Sequence, residues 1–181
     1  SPETVDEVNT RHTNERYLPG ARLPQSLRAT TSIEEAVRDA DVVIMGVPSQ
    51  AMRETAREVG KHIRAWVPLI SLSKGLELGT KLRMTQVIKQ ELPGHPAGVL
   101  SGPNLAREVM AGYAAASVIA MEDEVIVQEL QAIFKTGLFR VYTNTDVAGC
   151  ELGGALKNVM AIAAGMGDGA GAGENTRSAV I

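Results

Sequence analysis

The segment 153–161 (GGALKNVMA) places one lysine among small and apolar neighbours. On a helix, the residues three and four positions from Lys157 are not acidic; they are Gly153, Gly154, Met160 and Ala161. A lysine in such a wall is partly desolvated, so its pKa falls and it can act as a neutral amine base. The alternative is structural: the small residues let two helices touch while Lys157 extends to water. The spacing is compatible with both interpretations.

Two other segments contain residues that could bind a ligand or take part in a reaction, and each follows an apolar run. Lys74 comes just after a run that ends near Leu72, and Gly102-Pro103-Asn104 follows a run that ends near Ser101. In open α/β sheets, ligands collect at the carboxyl ends of strands, where a lysine can bind an anionic group. Pro103 suits a first helical turn, whose free N–H groups can bind an anion. The ordinary alternatives are an exposed loop lysine and a plain helix start. Convergence of these segments with Lys157 would suggest a base-assisted reaction on a small anionic molecule.

The elements that would position these residues alternate along the chain between apolar runs and helical patterns. Strands are expected within 42–47, 67–72, 98–101, 114–120 and 138–142. Helices are expected near 2–11, 32–39, 49–63, 80–91, 103–111, 123–135 and 146–166. This alternation predicts an α/β fold with a Rossmann-like, mainly parallel sheet, and it leaves the direction of the last crossover open.

The composition of the chain changes after Thr143. Residues 1–144 are expected to form the remainder of a dinucleotide-binding domain, and 145–181 the start of an all-helical substrate domain. The glycines between 165 and 173 predict a flexible interhelical loop. The sheet is expected to be incomplete at its N-terminus, because the chain opens with a helix and contains no G-x-G-x-x-G turn. The helical part also looks unfinished, since so few residues cannot bury the apolar faces of a helix pair.

Charge and composition argue against several classes of protein. The 181 residues carry 18 Lys+Arg against 21 Asp+Glu, which argues against a nucleic-acid binder. Cys150 is the single cysteine and the three histidines are scattered, so no metal site is expected. The absence of an 18-residue apolar run predicts no membrane span. A polar, acidic beginning does not suit a secretory signal, so the cytoplasm is the expected compartment.

Several motifs, in order along the chain, resemble the NAD(P)-dependent glycerol-3-phosphate dehydrogenases of the bacterial soluble type. They are NERYLPG (14–20), VPS (47–49), KGLE (74–77), SGPNLARE (101–108), FRVY (139–142) and the segment 154–175. The resemblance covers essentially the whole chain. It implies reversible hydride transfer between sn-glycerol 3-phosphate, a small phosphorylated substrate, and dihydroxyacetone phosphate, with NAD or NADP as cofactor. It also implies the first committed step towards glycerophospholipids, in an enzyme that is commonly a homodimer.

The same resemblance implies roles for individual residues. Lys157 matches the proton acceptor, which takes the C2 hydroxyl proton while hydride leaves C2 for the nicotinamide. Lys74 matches a lysine that touches substrate and cofactor, and it would orient the reacting oxygen. Position 104 departs from many bacterial members, which carry Ser or Thr there. The other matches are Asn158 in the substrate site, Gly102 and Asn104 in the substrate loop, and Ala106 as a cofactor contact.

Two other functions stay open at this point. One is a dehydrogenase of similar architecture that acts on a β-hydroxy acid, and the other is a non-catalytic nucleotide-binding fragment. The choice between NAD and NADP is usually made just after the second strand of such a sheet, and this sequence does not contain that segment. Because the family's glycine-rich turn and its later substrate-domain residues are also missing, we expect the isolated chain to show no turnover.

Overall fold

Five strands form a single sheet in the computed structural model, which describes residues 1–180. The strands are β1 (Val43–Met45), β2 (Leu69–Ser71), β3 (Ala97–Ser101), β4 (Ala115–Ala120) and β5 (Phe139–Asn144), and they lie side by side in this order. The pairs β1–β2, β2–β3 and β4–β5 are parallel, whereas β4 runs antiparallel to β3. The predicted mainly parallel α/β sheet is therefore confirmed. The last crossover, from β4 to β5, whose direction the sequence left open, is parallel, and the antiparallel connection is the one from β3 to β4.

Within residues 1–180, eight α-helices and one 3₁₀ turn (Ser49–Ala51) precede, connect and follow the strands. The helices are α1 (Pro2–Arg11), α2 (Ile33–Val37), α3 (Met52–Val59), α4 (Met84–Glu91), α5 (Ala106–Met110), α6 (Glu124–Phe134), α7 (Val147–Gly169) and α8 (Glu174–Val180). Aspartates are the N-caps of α6 and α7. The side chain of Asp123 accepts a hydrogen bond from the backbone N–H of Ile126 (3.0 Å), and that of Asp146 accepts one from the backbone N–H of Gly149 (2.8 Å). These side chains satisfy amide groups that have no partner within the helix.

Two sequence predictions about helices are wrong. Helix α5 begins at Ala106, with Leu105 as its N-cap, so Pro103 lies before the helix and not in its first turn. The expected glycine-rich loop is also shorter, because α7 continues through Gly169. The neighbouring alanines and methionine are strong helix formers and outweigh single glycines. The turn comes only at Gly171, which has a φ of 74°.

Both faces of the sheet are covered, as the continuous apolar runs predicted. Adjacent residues of β2 point to opposite faces: Leu69 packs with α3 and α4, while Ile70 packs with α6 residues such as Val127. β1 is an edge strand in which Ile44, between two buried neighbours, is 43% exposed. The carboxyl ends of β1, β2 and β3 share one edge of the sheet, since these strands are parallel.

Helix α7 is attached to the sheet by its first turns only. Val147 packs against the sheet together with Val99 and Ala120, and Val147 and Glu151 are the buried residues of the helix. By length and composition alone, α7 could cross a membrane, which the sequence argument from uninterrupted apolar runs did not anticipate. Its attachment to the sheet and its internal charges at Glu151 and Lys157 favour a helix of a folded domain.

Candidate active site

A cavity of about 530 Å³ lies where β2, β3 and α7 meet. This volume is in the range of small-molecule sites. The cavity brings together the three segments that the sequence singled out, although they are far apart along the chain. Its lining residues are Lys74, Ser101, Gly102, Pro103, Asn104, Leu105, Gly153, Gly154 and Lys157.

Lys74 enters the cavity from the loop after β2. Its Nζ donates a hydrogen bond to the carbonyl oxygen of Gly102 at 3.1 Å. The loop is held on its other side as well, because the hydroxyl of Ser73 donates to the carbonyl of Val47, two residues after the end of β1. Lys74 thus links two strand-end loops while its side chain stays exposed to the cavity.

A second set of contacts holds the loop that continues from Lys74. Gln50, in the 3₁₀ turn, donates to the carbonyl of Leu76 and accepts from the N–H of Leu78, both at 2.9 Å. Arg53 donates twice to the Glu77 carboxylate, at 2.8 Å for each bond. These hydrogen bonds from Arg53, together with one from the hydroxyl of Thr80, lower the pKa of Glu77 to about 2. The bidentate ion pair between Arg53 and Glu77 therefore helps to fix the backbone that follows Lys74.

The loop after β3 is fitted closely against β4. A Cβ on Gly102 would lie 2.8 Å from the carbonyl oxygen of Ala116 and 2.8 Å from Oγ of Ser117. The buried hydroxyl of Ser117 donates to Oδ1 of Asn104 at 2.6 Å. With Oδ1 engaged in this way, the amide NH₂ is the group that Asn104 can offer to a ligand.

The close approach of α7 depends on Gly154. A Cβ at this position would lie 2.9 Å from Oγ of Ser101 and 3.7 Å from Cγ of Lys74. Lys157 follows three residues later, on the same side of the helix. Its Nζ donates to Oδ1 of Asn158 at 2.7 Å. The absence of a side chain at Gly154 therefore lets the helix carry Lys157 to the rim of the same cavity.

The structure bears on the sequence predictions at three further positions. Lys157 is exposed, so of the two interpretations that its spacing left open the structure shows extension to water and not partial burial of the amino group. Asn158 contacts Lys157 but is not among the lining residues of the cavity. Ala106 lines a neighbouring cavity of about 420 Å³, whose walls also include Leu72, Phe139, Lys74 and Asn104. Lys74 and Asn104 consequently face both cavities.

Sequence reasoning missed two polar residues that organise this region, Ser117 and Glu151. Ser117 lies in the middle of an apolar strand, and Glu151 is a lone carboxylate near the start of α7. A polar residue inside an apolar pattern was the available signal, but their partners are 13 and 66 to 68 residues away along the chain. In residues 1–180 no cluster of three or more His, Cys, Asp or Glu could hold a metal ion.

Comparison with known families identifies the chain. The family model described as the NAD-dependent glycerol-3-phosphate dehydrogenase N-terminus matches residues 1–127, and the corresponding C-terminus model matches residues 146–181. The chain belongs to the NAD-dependent glycerol-3-phosphate dehydrogenase family. The resemblance found in the sequence motifs is thereby confirmed.

Relatives within this family match nearly the whole chain. A glycerol-3-phosphate dehydrogenase [NAD(P)+] of Sphingopyxis alaskensis is 60% identical over 99% of this chain and 54% of its own length. The crystal structure of a glycerol-3-phosphate dehydrogenase from Coxiella burnetii has a TM-score of 0.84 at 34% identity, over 98% of this chain and 55% of its own. A Saccharomyces cerevisiae glycerol-3-phosphate dehydrogenase gives 0.86 at 33% identity, over 98% and 53%. The chain thus spans about half the length of the relatives it matches.

Proposed function

We propose that this chain supplies the nicotinamide end of the cofactor site and the proton-transferring lysine of an NAD(P)-dependent glycerol-3-phosphate dehydrogenase. The reaction would interconvert sn-glycerol 3-phosphate and dihydroxyacetone phosphate. The observation that carries the proposal is that Lys74, Asn104 and Lys157 line one cavity, at the carboxyl ends of β2 and β3. Ligands of open α/β sheets bind at this edge.

The charges around the cavity support an anionic substrate. Lys74 and Lys157 each hydrogen-bond to a neutral oxygen, of Gly102 and Asn158, so both amino groups can donate hydrogen bonds to an anionic ligand. The amide NH₂ of Asn104 adds a neutral donor. A phosphorylated three-carbon molecule fits a cavity of about 530 Å³ that carries these groups.

The neighbouring cavity of about 420 Å³ supports the placement of a nicotinamide. Its walls are largely apolar, with Leu72, Ala106 and Phe139 suited to a flat ring, and it shares Lys74 and Asn104 with the first cavity. When bound there, the oxidised nicotinamide supplies the acceptor for the hydride from C2 of the substrate. A dinucleotide also needs a glycine-rich turn for its phosphates, and this sequence contains none.

In the proposed mechanism the two lysines have different roles: Lys157 transfers the proton and Lys74 positions the reacting oxygen. Lys157, as a neutral amine, accepts the C2 hydroxyl proton, and as an ammonium ion it returns a proton to the developing alkoxide in the reverse direction. Lys74 orients the C2 oxygen and offsets its charge. Asn104 and the backbone at Gly102 hold the substrate, and Asn158 orients the Lys157 amine through the 2.7 Å contact.

The proposal also covers the domain boundaries, the oligomeric state, the cellular compartment and the pathway of the protein. Residues 1–144 would belong to the dinucleotide-binding domain and 145–181 to the start of a helical substrate domain, with the division between the end of β5 and the start of α7. A homodimeric cytoplasmic enzyme at the first committed step towards glycerophospholipids accords with the family. These assignments rest on the resemblance and the family membership.

A chimera tests the proposed function directly. Residues 1–181 would replace the matching segment of the Sphingopyxis alaskensis relative, and reduction of dihydroxyacetone phosphate would be followed through oxidation of NADH or NADPH. We expect activity in the chimera and a loss of roughly 10²–10⁴-fold in kcat for Lys157→Met, because an acid–base group is removed. The control is Lys61→Met, which alters an exposed lysine paired with Glu58 at the end of α3.

Three results would contradict the proposal. A decrease of less than about threefold for Lys157→Met would exclude its role as the proton acceptor. A chimera that reduces a β-keto acid in preference to dihydroxyacetone phosphate would favour the alternative dehydrogenase. A chimera that binds cofactor, measured by calorimetry, but shows no turnover would favour a non-catalytic nucleotide-binding role.

A further inference from the structure

Glu151 is the only charged residue that is buried among the residues the structure describes. It lies in the second turn of α7, and its residue exposure is 7%. Its carboxylate accepts three hydrogen bonds: from the backbone N–H of Thr85 (2.8 Å), from the hydroxyl of Thr85 (2.5 Å) and from Nη1 of Arg83 (2.5 Å). A buried carboxylate needs such compensation, because its desolvation is otherwise strongly unfavourable.

The partners of Glu151 belong to the N-terminus of another element. Arg83 is the N-cap of α4, and Thr85 lies in the first turn of that helix. The free N–H groups and the helix dipole favour a negative charge at this position. Helix α4 is itself firmly held, because Met84, Val87 and Ile88 are buried in the core under the sheet. Glu151 therefore joins α7 to a rigid part of the dinucleotide-binding fold.

This connection through Glu151 matters because few residues hold α7 in place. Besides Val147 and Glu151, the helix contacts the sheet through the partly buried Cys150, which packs with Val99 and Ala120, and through the close approach of Gly154 to Ser101. Lys157 lies six residues after Glu151, roughly 9 Å along the helix axis. A tilt of about 10° at the joint would move Lys157 by about 1.5 Å over that distance. Misplacement of a reacting group by about 1 Å can lower a rate by about 10²-fold.

We propose that Glu151 is a positioning residue for Lys157. It does not line the cavity, and it acts by fixing the angle at which α7 leaves the sheet. The inference rests on the proposed role of Lys157 in proton transfer, but the joint itself is a separate physical claim about α7. The competing account is that Glu151 contributes only to folding stability.

Steady-state kinetics of the chimera separate these accounts. In Glu151→Gln the charge is lost, and we expect kcat to fall roughly 10- to 10²-fold, with KM for dihydroxyacetone phosphate changed less than about threefold. Thr85→Val removes one hydroxyl donor and should lower kcat in the same direction by a smaller factor; it carries the test if Glu151→Gln does not fold. The control is Val127→Ala in α6, which leaves a core cavity on the other face of the sheet and should lower the melting temperature without lowering kcat.

Amide hydrogen exchange on the chain itself tests the joint without any activity. We expect Glu151→Gln to speed exchange across residues 147–157 while α6 stays as protected as in the parent chain. Unchanged exchange there would overturn the joint, and faster exchange with an unchanged kcat would overturn the positioning role. An inactive parent chimera would instead count against the proposed function, and the exchange result would still decide for or against the joint.

Discussion

Replacement of Gly102 by alanine is the sharpest test of how the substrate loop is built. The new Cβ would lie 2.8 Å from the backbone oxygen of Ala116, whereas ordinary contacts begin near 3.4 Å. The obstacle is the backbone of β4, which cannot rotate away, so the loop itself must move by about 0.6 Å. The hydrogen bond from Lys74 Nζ to the Gly102 carbonyl, now 3.1 Å, would then be strained or lost.

This displacement gives two measurable magnitudes. Overpacking of this kind typically lowers the free energy of unfolding by about 1–3 kcal/mol, which urea unfolding of the chain would measure. Because the loop also carries Asn104 and supports Lys74, we expect kcat/KM of the chimera to fall roughly tenfold or more, in line with a sub-ångström misplacement. The loss should include a higher KM, since Asn104 and Lys74 are proposed to hold the substrate.

A neighbouring glycine in β3 provides the matched control. A Cβ on Gly98 would lie 2.7 Å from the backbone oxygen of Ala120 and 2.9 Å from Cε of Met121, in the middle of the sheet. Gly98→Ala should therefore reduce stability to a similar degree but leave kcat/KM within about twofold of the parent at temperatures where both are folded. Equal kinetic losses in the two variants, or unchanged kinetics in Gly102→Ala, would refute this account of the loop.

Two further predictions concern the loop after β2. Lys74→Met in the chimera should raise KM and lower kcat together, because Lys74 is proposed to contact substrate and reacting oxygen alike; an unchanged KM and pH profile would contradict this. Glu77→Gln in the chain should lower the free energy of unfolding at neutral pH, because Arg53 holds the pKa of Glu77 near 2, below its usual 4.5. A lowered pKa stabilises the fold above pH 4.5, and this contribution is lost as the pH falls towards 2, so urea unfolding should show the two proteins converging there. A difference that stays constant from pH 7 to pH 2 would exclude this linkage.

The sequence predicted the sheet well because burial on both faces leaves a simple pattern. Each strand that is covered on two sides, such as Leu69–Ser71, appears as a short, continuous apolar run that ends at a polar turn. The ends of these runs then indicate where Lys74 and Asn104 must meet, since parallel strands end at one edge. Their convergence with Lys157 in one cavity could therefore be predicted from the sequence.

The details that failed depend on contacts between distant parts of the chain. Pro103 suited a helix start locally, but the loop is held by Ser117, which fixes Asn104 from a strand 13 residues away, and the helix begins later. The antiparallel direction of β4 relative to β3 was not predicted, because a strand that is covered on both faces is a continuous apolar run in either direction. The role of Glu151 was not visible either, since its partners lie in a helix that the sequence does not connect to α7.

Two ion pairs near the site, Arg53–Glu77 and Arg83–Glu151, bear on the charges of the cavity. Two carboxylates on the segments that carry Lys74 and Lys157, those of Glu77 and Glu151, are each bound to an arginine, at 2.8 Å and 2.5 Å, and neither lines the cavity. The lysines that do line it bond to neutral oxygens only, as far as residues 1–180 show. Pairing both acids with arginines outside the cavity avoids neutralising Lys74 and Lys157. The same ion pairs that hold the lysine-bearing elements therefore leave the amino groups of Lys74 and Lys157 without a carboxylate partner in residues 1–180, as the proposed anionic substrate requires.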